Sequence, residues 1–112
     1  MSFHTTLKIN QRTAIITLLG ELDANSAPLF QKEIEKTVAV NPDKLVLMMQ
    51  KLDYMSSAGL RVLIFAKQKM GANVDICMVG LQEQVIDTLN KTGCNQGVIL
   101  LDEYVEEQVF SS

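Results

Sequence analysis

Residues 44–63, KLVLMMQKLDYMSSAGLRVL, change character part-way through. Lys44 to Met49 is an almost unbroken apolar run of strand length and reads as a central strand. From about Ser57 the spacing becomes helical. At about 100° per residue, Gly59, Val62, Leu63, Ala66 and Met70 fall on one side, which predicts a helix to Met70 with that side on a sheet. Between the two patterns stand adjacent hydroxyls, Ser56 and Ser57, followed by the small residues Ala58 and Gly59. A buried strand, a short turn and an amphipathic helix in that order form the repeating unit of an α/β layer fold.

The flanking sequence extends this unit. Phe3, Thr5, Leu7 and Ile9 alternate onto one face, Asn10-Gln11 offers a turn, and Arg12 to Leu19, RTAIITLL, is β-branched and apolar. These segments predict an antiparallel hairpin. Gly20 to Ser26 is expected to break the second strand; Asp23, Asn25 and Ser26 are N-cap types, and Pro28 suits a first helical turn. Leu29 or Phe30, then Ile34 and Val38, recur at helical spacing among charged and polar residues, until Asn41-Pro42-Asp43 ends the helix. After Gly71-Ala72-Asn73 come a strand at Val74–Val79 and a helix at Leu81–Leu89, with Val85, Ile86 and Leu89 inward and Gly93 closing it. A short strand at Val98–Leu101 and a terminal helix at Glu103–Phe110 complete the reading. Residues 1–112 therefore read as a single α/β domain. Its sheet is mixed, mostly parallel and four- to five-stranded, with packed helices and an N-terminal antiparallel hairpin.

Bulk properties narrow the chemistry. At 112 residues, with 47% hydrophobic and 21% charged side chains, one core forms without disulfide or metal staples. The net charge of -3 carries no basic surplus for nucleic acid. His4 is the sole histidine and is expected on the surface, so no multi-histidine metal site is possible, and no cofactor motif is read. Cys77 and Cys94 are far apart without CxxC spacing; they read as free thiols, Cys77 in the core and Cys94 exposed, with a single disulfide as the alternative. No leader pattern and no membrane-length apolar run is seen, so a soluble cytoplasmic protein without direct membrane insertion is expected.

The paired serines admit three readings. One is a helix N-cap. A second is a nucleophile, which the absence of G-x-S-x-G and of any downstream histidine opposes; no enzyme activity is expected. The third is a phosphoacceptor, since a helix N-terminus tolerates negative charge. On the predicted helix, Ser57, Arg61 and Gln68 fall opposite the sheet side, and Leu60, Ile64 and Phe65 beside them. That outer face is unusually apolar. Either neighbouring helices cover it, or it is a partner-docking patch with Ser57 at its edge.

At this point the chain resembles the STAS domain family, found in bacterial anti-sigma factor antagonists and in cytoplasmic domains of some anion transporters. Three motifs carry the resemblance: Gly20-Glu21-Leu22-Asp23 with Leu29 after it, the stretch from Lys44 to Leu63, and VGLQEQVIDTLNKTG from Val79 to Gly93. The family's turn reads Asp-Ser-Ser/Thr-Gly-Leu-Gly. Alignment on Gly59-Leu60 puts Ser57 at the phosphoacceptor, Ser56 in place of the aspartate, Ala58 at the second hydroxyl and Arg61 in place of the last glycine. Ser56 is the alternative acceptor, and Asp53, three residues before it, is the candidate carboxylate to compensate for the missing one. The resemblance implies partner switching. The unphosphorylated form binds an anti-sigma factor that is also a serine kinase and so frees a sigma factor; phosphorylation releases it and a serine phosphatase resets it. The implied partner-binding residues are Asp23, Ser56, Gly59, Leu60, Arg61 and Ile64. The alternative is a regulatory STAS subunit of a membrane transporter complex that is not phosphorylated.

Overall fold

The computed structural model describes residues 3–71, 73–93 and 98–102. β1 (Phe3–Asn10) and β2 (Thr13–Leu22) form the expected antiparallel hairpin, closed by the Asn10↔Thr13 pair around Gln11 at φ 56°. Every later strand pairs parallel with its predecessor: β3 (Lys44–Met55) with β2, β4 (Asp75–Val79) with β3, and β5 (Ile99–Leu101) with β4. The sheet order is thus β1-β2-β3-β4-β5, and α1 (Ala27–Val40), α2 (Ser57–Met70) and α3 (Glu83–Thr92) make the three crossovers. Crossovers of one hand between sequential neighbours carry all three helices to the same face. The main core lies on that face. Ile16, Leu18, Leu45, Leu47 and Met78 of the strands pack with Phe30, Ile34, Leu63, Val85 and Leu89 of the helices. The other face holds a smaller buried cluster of Ile15, Val46, Cys77 and Val79. Burial on both faces explains why β2 and β3 open as near-continuous apolar runs rather than as alternating patterns.

Two strands run further than their apolar runs suggest. Gly20 does not break β2; it sits inside the strand at φ 95°, next to register irregularities that let the chain continue to Leu22. β3 does not end at Met49 but at Met55, because the extension of β2 pairs with it as far as Leu22↔Met55. This stretch exposes Gln50, Lys51, Asp53 and Tyr54, so hydrophobicity alone hides it. α3 starts at Glu83, after a leading Gln82, rather than at Leu81; Val85 and Leu89 face inward while Ile86 is half-buried. On α1 the inward aromatic is Phe30, and Leu29 is 48% exposed. Cys77 is buried, which pushes its thiol pKa up, and His4 is exposed. The expected helix at Glu103–Phe110 and Cys94 lie outside the described residues. Among the described residues no helix is long and apolar enough to cross a membrane.

Candidate functional site

The ends of β2 and β3 bring two loops together. Leu22 and Met55 are register partners, and the next backbone N–H, that of Ser56, donates to the Leu22 carbonyl at 2.9 Å. The Asp23–Ser26 loop and the Ser56-Ser57 turn therefore leave neighbouring parallel strands side by side, at the starts of α1 and α2.

The first loop is held by its own carboxylate. Asp23 Oδ1 accepts from the Asn25 and Ser26 backbone N–H groups at 3.0 and 3.1 Å. The Asp23 N–H donates to Ser26 Oγ at 2.9 Å, and that hydroxyl's single proton has Asp23 Oδ1 and the Glu21 carbonyl within reach, each at 3.0 Å. Ser26 occupies the N-cap position of α1 without a side-chain cap bond into the helix; the donors at this end are taken by Asp23 instead. The Ser26 backbone N–H, then its hydroxyl, hold the Asp23 carboxyl below the usual carboxylate range. A depressed folded-state pKa contributes stability that is present above the unfolded value, about pH 4, and is lost as pH falls through the folded value. Asp43, held low by the Arg12 guanidinium at 2.7 Å, adds to the same acid limb. Asp23→Asn is expected to flatten the fall of unfolding free energy below about pH 4, followed by urea titration at stepped pH. Superimposable acid limbs for the two proteins would contradict the hydrogen-bonded loop.

The second loop separates its two hydroxyls. Ser56 is extended (φ -89°, ψ 176°) at the N-cap position of α2, and its Oγ is buried without a hydrogen-bond partner among the described residues. Ser57, the first helical residue, is exposed. The N-cap reading thus holds for the position of Ser56 but not for its side chain, which makes no cap bond.

Of the residues expected to meet a partner, two face inward. Gly59 is buried where a Cβ would lie 2.8 Å from Leu22 Cγ and Cδ2 and 2.9 Å from Met55 Cγ. Leu60, expected on the outer face, is only 6% exposed and belongs to the main core. The burial of Gly59 agrees with its place on the sheet side of the helix, whereas the outer-face placement of Leu60 is corrected: the first turn of α2 lies close enough to the strand ends to take it in. What remains outward is a stripe at helical spacing, Ser57, Arg61, Ile64 and Gln68, all exposed. Ile64 is its apolar member at 43% exposure. Phe65 is half-buried, with the Lys69 Nζ 5.8 Å from its ring centroid. Beside the stripe an open groove of about 540 Å³ runs between α1 and α2, lined by Pro28, Gln31, Lys32 and Glu35 on one side and Ala58 and Arg61 on the other.

Asp53 is tied elsewhere. Its carboxylate accepts from Gln82 Nε2 at 3.0 Å, and the same amide donates to the Gln50 carbonyl at 3.0 Å. Gln84 Oε1 accepts from the Met55 N–H at 3.3 Å. β4 pairs with β3 only as far as Met48, so these glutamines at the start of α3 take over backbone groups that no strand reaches. Sequence inspection gives no signal for this bracing, nor for the exposed Tyr54 beside the turn.

The family model of the STAS domain matches residues 4–108. The chain belongs to the STAS domain family. A similar protein is the anti-sigma-F factor antagonist RsfB of Mycobacterium tuberculosis, 28% identical over 78 residues. That stretch is 70% of this STAS domain and 64% of the relative, so less than two thirds of the relative's length is spanned. An anti-sigma factor antagonist from Mycobacterium paratuberculosis superposes with a TM-score of 0.84 at 21% identity, covering 98% of this chain and 92% of that one. The anti-sigma factor antagonist SpoIIAA in its unphosphorylated form gives 0.78 at 17%, covering 96% and 94%. The phosphorylated form of the Bacillus protein gives 0.69 at 15%, covering 98% and 97%. At these identities the structural likeness is one of fold.

Proposed function

We propose that this STAS domain is a cytoplasmic anti-sigma factor antagonist that works by partner switching and catalyses nothing itself. Unphosphorylated, it binds an anti-sigma factor that is also an ATP-dependent serine kinase, and so frees a sigma factor. The kinase transfers the γ-phosphoryl group of ATP to Ser57 Oγ. The Oγ–P bond forms, the bond from phosphorus to the ADP oxygen breaks, and the hydroxyl proton passes to a kinase base or water. A serine phosphatase resets the switch, water displacing the phosphate as inorganic phosphate. The observation that carries this reading is the unequal exposure of the two hydroxyls: Ser57 is open at the start of α2, beside the Asp23 loop, and Ser56 Oγ is buried. Names of relatives support it, since the mycobacterial protein is an anti-sigma-F factor antagonist and SpoIIAA exists in both phosphorylation states. A phosphate brings nearly two negative charges to the edge of the stripe that presents Ile64, where a partner must shed water.

The test is phosphosite mapping of the protein isolated from its native cells, with Ser57→Ala alongside. Phosphate on Ser57 that disappears in the variant is the expected result, together with a variant that stays bound to the kinase when ATP is added. Phosphate on Ser56 overturns the assignment of the acceptor. No phosphate under any growth condition overturns the switch and leaves a constitutive binding module, such as a transporter subunit.

A further inference from the structure

The geometry points to Arg61 as the residue that responds to phosphate on Ser57. Its guanidinium leaves the groove between α1 and α2 and pairs with the phosphate one helical turn away. The inference rests on Ser57 being the acceptor. Ser57 and Arg61 stand four residues apart on one exposed stripe of α2, so their Cβ atoms are neighbours on the helix surface. The anion precedes the cation, which is the favoured order for such pairs. The Arg61 side chain makes no hydrogen bond or ion pair to any described residue, so no existing contact is lost when it turns. No acidic residue lies in the first turn of α2 to compete for it, and Glu35 across the groove is within 3.4 Å of the Gln31 amide.

The chemistry of the pair is specific. A guanidinium presents a planar fork of N–H donors that matches two phosphate oxygens, whereas a lysine offers a point charge. Among the described groove-lining residues Arg61 and Lys32 are the cations and Glu35 is the carboxylate. When Arg61 swings to the phosphate, the formal charge presented by the lining falls from positive to neutral. Phosphate then acts twice. It adds negative charge at the edge of the stripe, and it withdraws the cation that a partner's acidic side chain would meet in the groove.

The test uses the full chain with phosphoserine installed directly at position 57 by genetic code expansion. The second ionisation of the phosphate is followed by phosphorus NMR in the wild type, Arg61→Gln and Arg61→Lys. The expected midpoint is lower in the wild type than in Arg61→Gln by about 0.4, with Arg61→Lys recovering part of the difference. The Arg61 Nε resonance should also move between the unmodified and phosphorylated wild type. Coincident titrations in all three proteins, or an Nε resonance that does not move, overturn the pairing. The phosphate is placed without a kinase, so this result stands apart from whether cells phosphorylate Ser57. Failure of the acceptor assignment in cells and failure of the Arg61 contact are separately visible.

Discussion

Phe30→Ala is expected to lower the free energy of unfolding by about 4 kcal/mol, the range found when a buried aromatic is truncated. Phe30 has no exposed surface and stands among the largest fully buried side chains, in the second turn of the α1 region where that helix meets the sheet. Removing its ring forfeits the transfer of the ring from water and leaves a void that the strands cannot collapse to fill. A small domain is stable by only about 5–15 kcal/mol, so the loss is a large share of the total and should depress Tm by more than about 10 °C. The neighbouring Leu29→Ala provides the contrast. That side chain is mostly in water, and its removal should change stability by no more than about 0.5 kcal/mol. Equilibrium unfolding in guanidinium chloride measures both. Equal losses would mean that α1 is rotated about its axis, which would change the lining of the groove it forms with α2.

Gly59→Val is the second large effect, expected at about 3 kcal/mol. Its Cβ would overlap Leu22 and Met55, both fully buried, and the two further methyl groups worsen the overlap. Gly59→Ala should cost less, because alanine regains about 1 kcal/mol of helix propensity against the same clash. The structural consequence reaches the candidate site. To make room, the start of α2 must move off the ends of β2 and β3, and the 2.9 Å bond from the Ser56 N–H to the Leu22 carbonyl must lengthen. Hydrogen exchange at the Ser56 amide should therefore quicken in Gly59→Val, alongside the lower unfolding free energy. Wild-type stability and wild-type exchange in that variant would show that α2 stands further from the strand ends than a Cβ contact with Leu22 and Met55 allows.

The strand extensions show why sequence reading stops where it does. Residues 50–55, QKLDYM, mix polar and apolar side chains without clean alternation. They form a strand because β2 continues alongside them, with irregular register, to Leu22. The pairing partner lies some thirty residues away, so no local window contains the cause. The same is true of the glutamines that brace β3 from α3.

The order of the described elements, the N-terminal hairpin, the start of α2 at the paired serines and the parallel character of the sheet are all legible in the chain itself. These properties depend on periodicity and turn chemistry among near neighbours, which a sequence carries directly. The burial of Ser56 Oγ, whether Leu29 or Phe30 enters the core, and the burial of Leu60 were decided only in three dimensions. The Asp23 loop meets the serine turn, as the family resemblance implies, because β2 and β3 pair to their ends, at Leu22 and Met55. For the helical positions the physical reason is common. Adjacent residues on a helix point about 100° apart, so the docking of α1 and α2 against strands distant in sequence selects which side chains are buried and which are left to a partner.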